Sequence, residues 1–375
     1  MRKSITEYLK GIDVWLVLAA IVSTGISIVL VYSATRHTSA GVRNIVIQQV
    51  CLVLGLVVMF IISKFDYDLY SDIAKYIVVI AVAALLFTAF FAPETKGNRN
   101  WLDFKIVMFQ TSEITKFAFI VTMACHINAV KDKINNPKKL MFILLHFGAY
   151  ALPIILQGDI GSLLVYVVMF LFMLYIAKLN LLYYLGAIVF SGVAIPIMWS
   201  NEIIIKGYMK TRILITLNPY MDPMKSGYQQ IQSMIAVGSG KMNGSGLFKG
   251  IQTQYGKLPE KHTDFIYSVA GEELGFIGCV TIIGLLTFII YRIIMIGIKS
   301  KNTTGMLICT GVATMLLVQT VENIGMCLSI MPVIGITLPF FSYGGSSLMS
   351  VFICLGLVLS VSLNTRHGLK FFEDN

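Results

Sequence analysis

The sequence predicts an all-α polytopic membrane protein with about ten transmembrane helices and one long loop between the seventh and eighth. Three observations carry that expectation. Of 375 residues, 57% are hydrophobic and only 13% are charged, where soluble domains average roughly 25%. The mean hydropathy is +0.79, more apolar surface than a soluble chain of this size can hide. The apolar residues also fall in continuous runs, near the ~20 residues that a helix needs to cross hydrocarbon. A membrane β-barrel would show alternation instead.

Ten runs approach or meet that length: Val14–Ser33, Ile45–Ser63, Tyr76–Ala92, Thr111–Asn128, Leu140–Leu156, Ile160–Ala177, Leu181–Trp199, Phe265–Gly297, Gly305–Cys327 and Gly345–Leu363. The first follows Arg2, Lys3 and Lys10 and is long enough to stay as a span rather than act as a cleaved leader. The fifth and sixth are short and separated only by Gln157-Gly158-Asp159, which reads as a tight helical hairpin at one face. The eighth exceeds the bilayer and must tilt or project. Together the runs make a single integral membrane domain.

Charge sets the orientation. The net charge is +10, from 29 Lys and Arg against 19 Asp and Glu. With the N-terminus inside, fifteen Lys and Arg fall in inner segments and five in short outer loops. The positive-inside rule therefore places both termini in the cytoplasm. The surplus cations set topology and touch anionic membrane lipids, not nucleic acid. The connection Ser200–Asp264 carries eight more and falls on the outer face, because loops this long cross regardless of charge. Six cysteines lie in or beside apolar runs without CxxC spacing, so they read as small core residues.

Four polar clusters then share the outer side: Arg99–Lys116, Gln157–Asp159, Asp264–Glu273 and Ser342–Ser347. Each admits two readings. Glu113 and Lys116, three apart on one helical face, form a self-satisfied pair or turn Lys116 toward a phosphate. Thr263 or Asp264 caps the eighth span, or Asp264 accepts a proton from a substrate hydroxyl. Glu272 and Glu273, eight and nine residues further on, are costly at membrane depth. They form an internal pair or line a polar cavity. The glycine stretch GSGKMNGSGLFKG is a packed turn or an anion cradle. The segment MPVIGITLPFFSYGGSS, broken by Pro332, Pro339, Gly335 and Gly344, survives at membrane depth only as a re-entrant plug or a cavity wall. His126 and His146 sit near inner helix ends and read as interfacial. No His, Cys or Asp spacing suggests zinc.

Several blocks are similar to the signature of the SEDS family (shape, elongation, division and sporulation). They are GYQQIQSMIAVGSGKMNGSGL, LPEKHTDFIYSVAGEELGFIG, MPVIGITLPFFSYGGSS, FQTSEITK and QGDIGS, in the family's order, within a ten-span layout covering nearly the whole chain. RILITLNPYMDP and ENIGMCLSIMPVIGI resemble the RodA branch more than FtsW. Departures are Gly158 for a usual proline, Ser162 for threonine, Thr337 for proline, and Lys241 within a glycine pair.

The resemblance implies a peptidoglycan glycosyltransferase of the bacterial cytoplasmic membrane. It would polymerise lipid II, a disaccharide-pentapeptide on undecaprenyl pyrophosphate, beside a class B penicillin-binding protein that cross-links the glycan. It implies Asp264 as catalytic base and matches Glu113, Lys116 and Asp159 to the family's polar positions. Lys116 is the first candidate to answer the pyrophosphate charge, with Arg212, Lys257 or a divalent cation (Mg²⁺ or Mn²⁺) as helpers, and no organic cofactor is expected. Gln157, Glu272, Glu273, Ser342, Tyr343 and Ser346 complete the expected substrate site. A lipid II transporter and a non-catalytic scaffold for the penicillin-binding protein are the alternatives.

Overall fold

The structure is a computed structural model that describes residues 11–38, 41–67, 69–95, 97–103, 108–200, 207–224 and 227–373. Among the cations counted above, Arg2, Lys3, Lys10, Lys96, Lys105, Lys206 and Lys225 lie outside those residues. Ten long helices stand where the ten apolar runs predict them: α1 (Val14–Thr35), α2 (Gly41–Ser63), α3 (Leu69–Phe91), α4 (Thr111–Val130), α5 (Pro137–Gln157), α6 (Ile160–Ile176), α7 (Leu181–Ser200), then α11 (Ile266–Lys299), α12 (Thr303–Cys327) and α13 (Gly345–Glu373). Eight have spans long and apolar enough to cross a membrane; Ile160–Ile176 and Leu181–Ala194 are shorter apolar helices.

Two boundaries differ from expectation for a physical reason. α3 starts at Leu69, ahead of the expected Tyr76, because a polar first turn is still a good helix. Asp72 sits there, where the positive end of the helix dipole favours an acid. α13 runs past Leu363 to Glu373, because hydropathy marks where lipid ends, not where hydrogen bonding does.

α12 and α13 are the centre of the bundle. Within their spans 72% and 89% of residues are buried, against 22% in α2 and in α3, whose apolar faces are left to lipid. α13 packs on α2, α12 on α11 and α6, and α3 on α4. At one end of the bundle Asp13 caps α1 through Leu16 N at 3.1 Å and takes the Arg292 guanidinium, whose Nε lies 3.1 Å away. That contact ties the start of α1 to the end of α11.

The connection before α11 is folded rather than open. It holds α8 (Gly207–Leu217), a 3-10 turn at Pro219–Met221, α9 (Tyr228–Ser239) and the single turn α10 (Ile251–Gln254). A two-stranded antiparallel hairpin, β1 (Trp101–Asp103) and β2 (Met108–Gln110), leads into α4, with Trp101 opposite Gln110.

The glycine stretch docks into a break in α11. Gly275 adopts φ 69° and ψ −161°, a region that residues with a Cβ essentially avoid. The break opens the helical ladder, and the loop takes over its bonds. Phe276 N donates to Lys241 O at 2.8 Å, while Ser245 N and Gly246 N donate to the carbonyls of Glu272 and Glu273 at 2.9 and 3.0 Å. Two of the amides that could have cradled an anion, those of Ser245 and Gly246, are therefore spent on α11. A Cβ on Gly275 would fall 2.3 Å from Gly244 N. Backbone strain alone costs on the order of 1–3 kcal/mol, and the collision adds to it. Gly275→Ala is expected to lower the melting temperature in detergent and to open the 240–256 segment to protease. Unchanged melting and unchanged protease resistance would contradict this docking.

Candidate active site

Asp264 stands at the head of α11. Phe265 occupies the cap position of that helix and makes no side-chain cap bond. Backbone bonds hold Asp264. Its carbonyl accepts from Asn323 Nδ2 at 2.8 Å, and its N–H donates to Glu260 O at 3.1 Å. The carboxylate is half-buried, and Oδ2 lies beside Gly335, 3.7 Å from where a Cβ would sit.

The irregular segment between α12 and α13 joins this residue to the rest of the site. Asn323 Nδ2 also donates to Ile336 O at 2.8 Å. Ser342 Oγ donates to Thr263 O at 2.6 Å and accepts from Leu338 N at 2.8 Å; Tyr343 N donates to His262 O at 2.8 Å. From the other side, Ser27 Oγ donates to Phe341 O at 2.6 Å, and Gln48 Nε2 to Ser342 O at 3.3 Å. These contacts answer how broken backbone survives between spans: other helices satisfy it. The Tyr343 ring lies 5.5 Å from that of His262, and burial pushes its phenol upward while Arg43 works against the shift.

The same segment reaches the second carboxylate. Ser346 Oγ accepts from Gln110 N at 3.2 Å and donates to Met108 O at 3.1 Å. Gln110 Nε2, Asn100 Nδ2, Ser112 Oγ and Ser162 Oγ all donate to Asp159 Oδ2, at 2.8, 3.0, 2.9 and 2.9 Å. Asp159 Oδ1 caps α6 by accepting from Ser162 N at 3.0 Å. The 157–159 turn adopts the left-handed conformation at Gly158, with φ 76°. A proline there is impossible because its ring fixes φ near −65°, so the departure from the expected proline changes the turn itself. Gln157 is buried and donates to Leu85 O at 2.8 Å, while its carbonyl accepts from Arg99 N at 2.9 Å.

Glu113 and Lys116 sit behind this cluster. Lys116 is 1% exposed and pairs with Glu113 at 2.5 Å. The Glu113 carbonyl accepts from Ser350 Oγ at 2.6 Å. In this conformation the ammonium is occupied by the carboxylate.

Glu272 and Glu273 anchor the loop. Glu272 accepts from Gln252 N, Thr253 N and Thr253 Oγ1 at 2.6, 2.9 and 2.7 Å, holding the start of α10. Glu273 accepts from Ser33 Oγ and Gln254 Nε2, both at 2.7 Å, which ties α10 and α11 to α1. The carboxylates at membrane depth are stabilised by donors, and neither forms an ion pair among the described contacts. Lys261 donates to Thr253 O; burial pushes its ammonium below the usual lysine range, while Glu272 and Glu273 work against the shift. Lys257 is exposed. Arg212 Nη1 donates to Val333 O at 3.1 Å, two residues from Gly335.

Sequence reasoning passed over three members of the site: Asn100, Gln110 and Ser112, the donors to Asp159. Two of them lie inside the quoted block FQTSEITK, and their polarity just before an apolar run was the available signal. His126 and His146 face each other with Nδ1 atoms 3.0 Å apart.

Two apolar clefts of about 600 and 270 Å³ run between α3 and α4. The larger is lined by Ala84, Phe87, Leu102, Phe109 and Thr111, the smaller by Ile80, Ile114 and Phe117 among others. They open beside the hairpin, two residues from Glu113. No three His, Cys, Asp or Glu side chains among the described residues converge to hold a metal ion.

The comparisons with known proteins agree with this geometry. A family model described as a cell cycle protein, FtsW/RodA/SpoVE, matches residues 13–367. The chain is 34% identical over 340 residues to the peptidoglycan glycosyltransferase MrdB of Escherichia coli strain K12, covering 90% of this chain and 91% of the relative. It is 33% identical over 364 residues to a probable peptidoglycan glycosyltransferase FtsW of Geobacter sulfurreducens, covering 94% and 96%. A solved structure described as "Structural coordination of polymerization and crosslinking by a peptidoglycan synthase complex" superposes with a TM-score of 0.81 at 27% identity, over 94% of this chain and 98% of that one. This multi-pass membrane protein belongs to the FtsW/RodA/SpoVE family of cell cycle proteins.

Proposed function

We propose that this chain is a peptidoglycan glycosyltransferase that polymerises lipid II at the outer face of the bacterial cytoplasmic membrane. One observation carries the reading. The irregular segment that bonds the carbonyls of His262 and Thr263, just before Asp264, also meets the Asp159 cluster, and the hairpin that supplies a donor to that cluster lines an apolar cleft. A half-lipid, half-sugar substrate needs those two surfaces side by side.

In the proposed reaction the Asp264 carboxylate removes the proton of the acceptor N-acetylglucosamine 4-hydroxyl. The oxygen attacks the anomeric carbon of the donor, and undecaprenyl pyrophosphate leaves. The donor is α-linked and the product β-1,4, so one displacement with inversion accounts for the stereochemistry. Pyrophosphate needs no protonation to depart, but its charge must be stabilised. Lys116 is engaged by Glu113, so we assign that task to Arg212, with Lys257 from the exposed loop. No step is routed through a divalent cation. Glu113 and Lys116 support the wall behind the site, and Asp159 and Ser346 shape its sugar side. The clefts between α3 and α4 take the polyprenyl chain. A class B penicillin-binding protein is the proposed partner, consuming the strand as it emerges.

The intramembrane Glu272, Glu273 and Glu322 could serve a transporter; of these, Glu272 and Glu273 anchor the loop. Purified protein incubated with fluorescent lipid II should yield a ladder of glycan chains on a gel, digestible by muramidase. Lipid II carried across proteoliposomes without any ladder would replace this reading with transport.

A further inference from the structure

A cavity of about 260 Å³ opens at the end of the bundle opposite Asp264, about 40 Å further along α11. Three elements wall it. α11 presents Tyr291, Arg292, Ile296 and Lys299 on one helical face, α13 adds Ser362 and Thr365, and Asp13 stands at the head of α1. Among the described residues, no charged side chain lines the clefts between α3 and α4, whereas this cavity holds three. Two are cations and one is a carboxylate, so the site is positive by one charge.

Its donors are not used up. Arg292 Nε and Nη2 both donate to Asp13 Oδ2, which occupies one edge of the guanidinium. The Nη1 edge keeps its N–H groups and has no acceptor among the described residues. Lys299 is exposed and lies about 10 Å beyond Arg292 on the same helix. Ser362 Oγ and Thr365 Oγ1 have spent their hydrogens on Gly11 O at 3.3 Å and Val361 O at 2.8 Å, so toward the cavity they can only accept. Depth is marked by aromatic rings. Trp15, two residues from Asp13, is 64% exposed and Tyr291 is 52% exposed, and such amphipathic rings settle at the headgroup level of a bilayer. From Tyr291 toward the bilayer centre, α11 turns Phe288, Ile283 and Val280 outward to lipid.

We propose that this cavity binds the headgroup of an anionic phospholipid that carries free hydroxyls, of the phosphatidylglycerol type. The phosphodiester accepts from Arg292 Nη1 and from Lys299, and the glycerol hydroxyls donate to Ser362 and Thr365. The acyl chains lie along the outward apolar face of α11. Basic pockets between spanning helices are where such headgroups bind. A cavity of this size takes a glycerol phosphate but not a disaccharide-pentapeptide, which separates it from the substrate site. A bound lipid would clamp α1, α11 and α13 together.

The full chain, purified in neutral detergent, is titrated with phosphatidylglycerol, phosphatidylcholine and inorganic phosphate, with bound lipid counted by native mass spectrometry and melting followed in parallel. One phosphatidylglycerol should bind at least tenfold more tightly than phosphatidylcholine and raise the melting temperature, while phosphate at equal concentration does neither. Lys299→Gln should weaken phosphatidylglycerol about fivefold and leave phosphatidylcholine unchanged. Asp13→Asn combined with Arg292→Gln neutralises the pair together and should abolish the preference. If that double variant does not fold, Lys299→Glu takes its place and should weaken binding beyond Lys299→Gln. Equal binding of the two lipids would overturn the proposal, as would a preference that survives these variants. Inorganic phosphate that displaces the lipid at equal concentration would make this a site for a free anion and overturn the lipid assignment.

Discussion

Asp264→Asn is expected to reduce polymerisation by ~10²–10⁴-fold, the usual contribution of a positioned proton acceptor, with no change in melting temperature. The stability half of this expectation follows from how the residue is held. Its backbone is anchored at two points: Asn323 Nδ2 on its carbonyl, and its own N–H on Glu260 O. Asparagine keeps both. Its carboxamide matches the carboxylate in shape but cannot take a proton from the acceptor hydroxyl. Glycan assays on the purified variant, paired with thermal melting in the same detergent, separate the two effects. Activity within tenfold of the unaltered chain would remove Asp264 from the base role. A melting temperature that falls along with activity would show the side chain to be structural.

Lys116→Met is expected to cost about 3–5 kcal/mol of stability, the range for removing one partner of a buried ion pair. Glu113 would be left charged or forced to take a proton once Lys116 is gone. Replacing both residues, as Glu113→Gln with Lys116→Met, should recover much of the loss, because no unpaired charge remains buried. Melting curves of the two singles and the double make this a closed cycle. Polymerisation by the double variant should follow its stability. If Lys116→Met melts normally yet loses all activity, the ammonium leaves Glu113 to meet the pyrophosphate during turnover. The assignment of that charge to Arg212 would then be wrong.

The ten long helices were legible because their signal is thermodynamic and local: a residue in hydrocarbon must be apolar, and a helix needs about twenty of them to cross. What happens beyond the lipid boundary is set by hydrogen bonds, which hydropathy does not weigh. That is why the polar first turn of α3 and the last turns of α13 escaped. The 200–264 segment shows a deeper limit. Its glycines admitted an anion cradle because a free amide and an amide bonded to α11 look alike in sequence. Only the break at Gly275, which exposes the carbonyls of Glu272 and Glu273, tells them apart. The site was half legible. Asp264, Asp159, Glu113 and Lys116 stood out because a charge near the bilayer is expensive. Neutral groups such as Asn100, Gln110 and Ser112 carry no such mark, and their importance appears only when the fold brings them beside the Asp159 carboxylate.

A structure of the Asp264→Asn protein with lipid II bound tests the account most directly. The acceptor 4-hydroxyl should lie within hydrogen-bonding distance of residue 264, the sugar between it and the Asp159 cluster, and the isoprenoid chain along the clefts between α3 and α4. A headgroup found instead at the opposite end, beside Asp13 and Arg292, or an isoprenoid leaving those clefts empty, would contradict it.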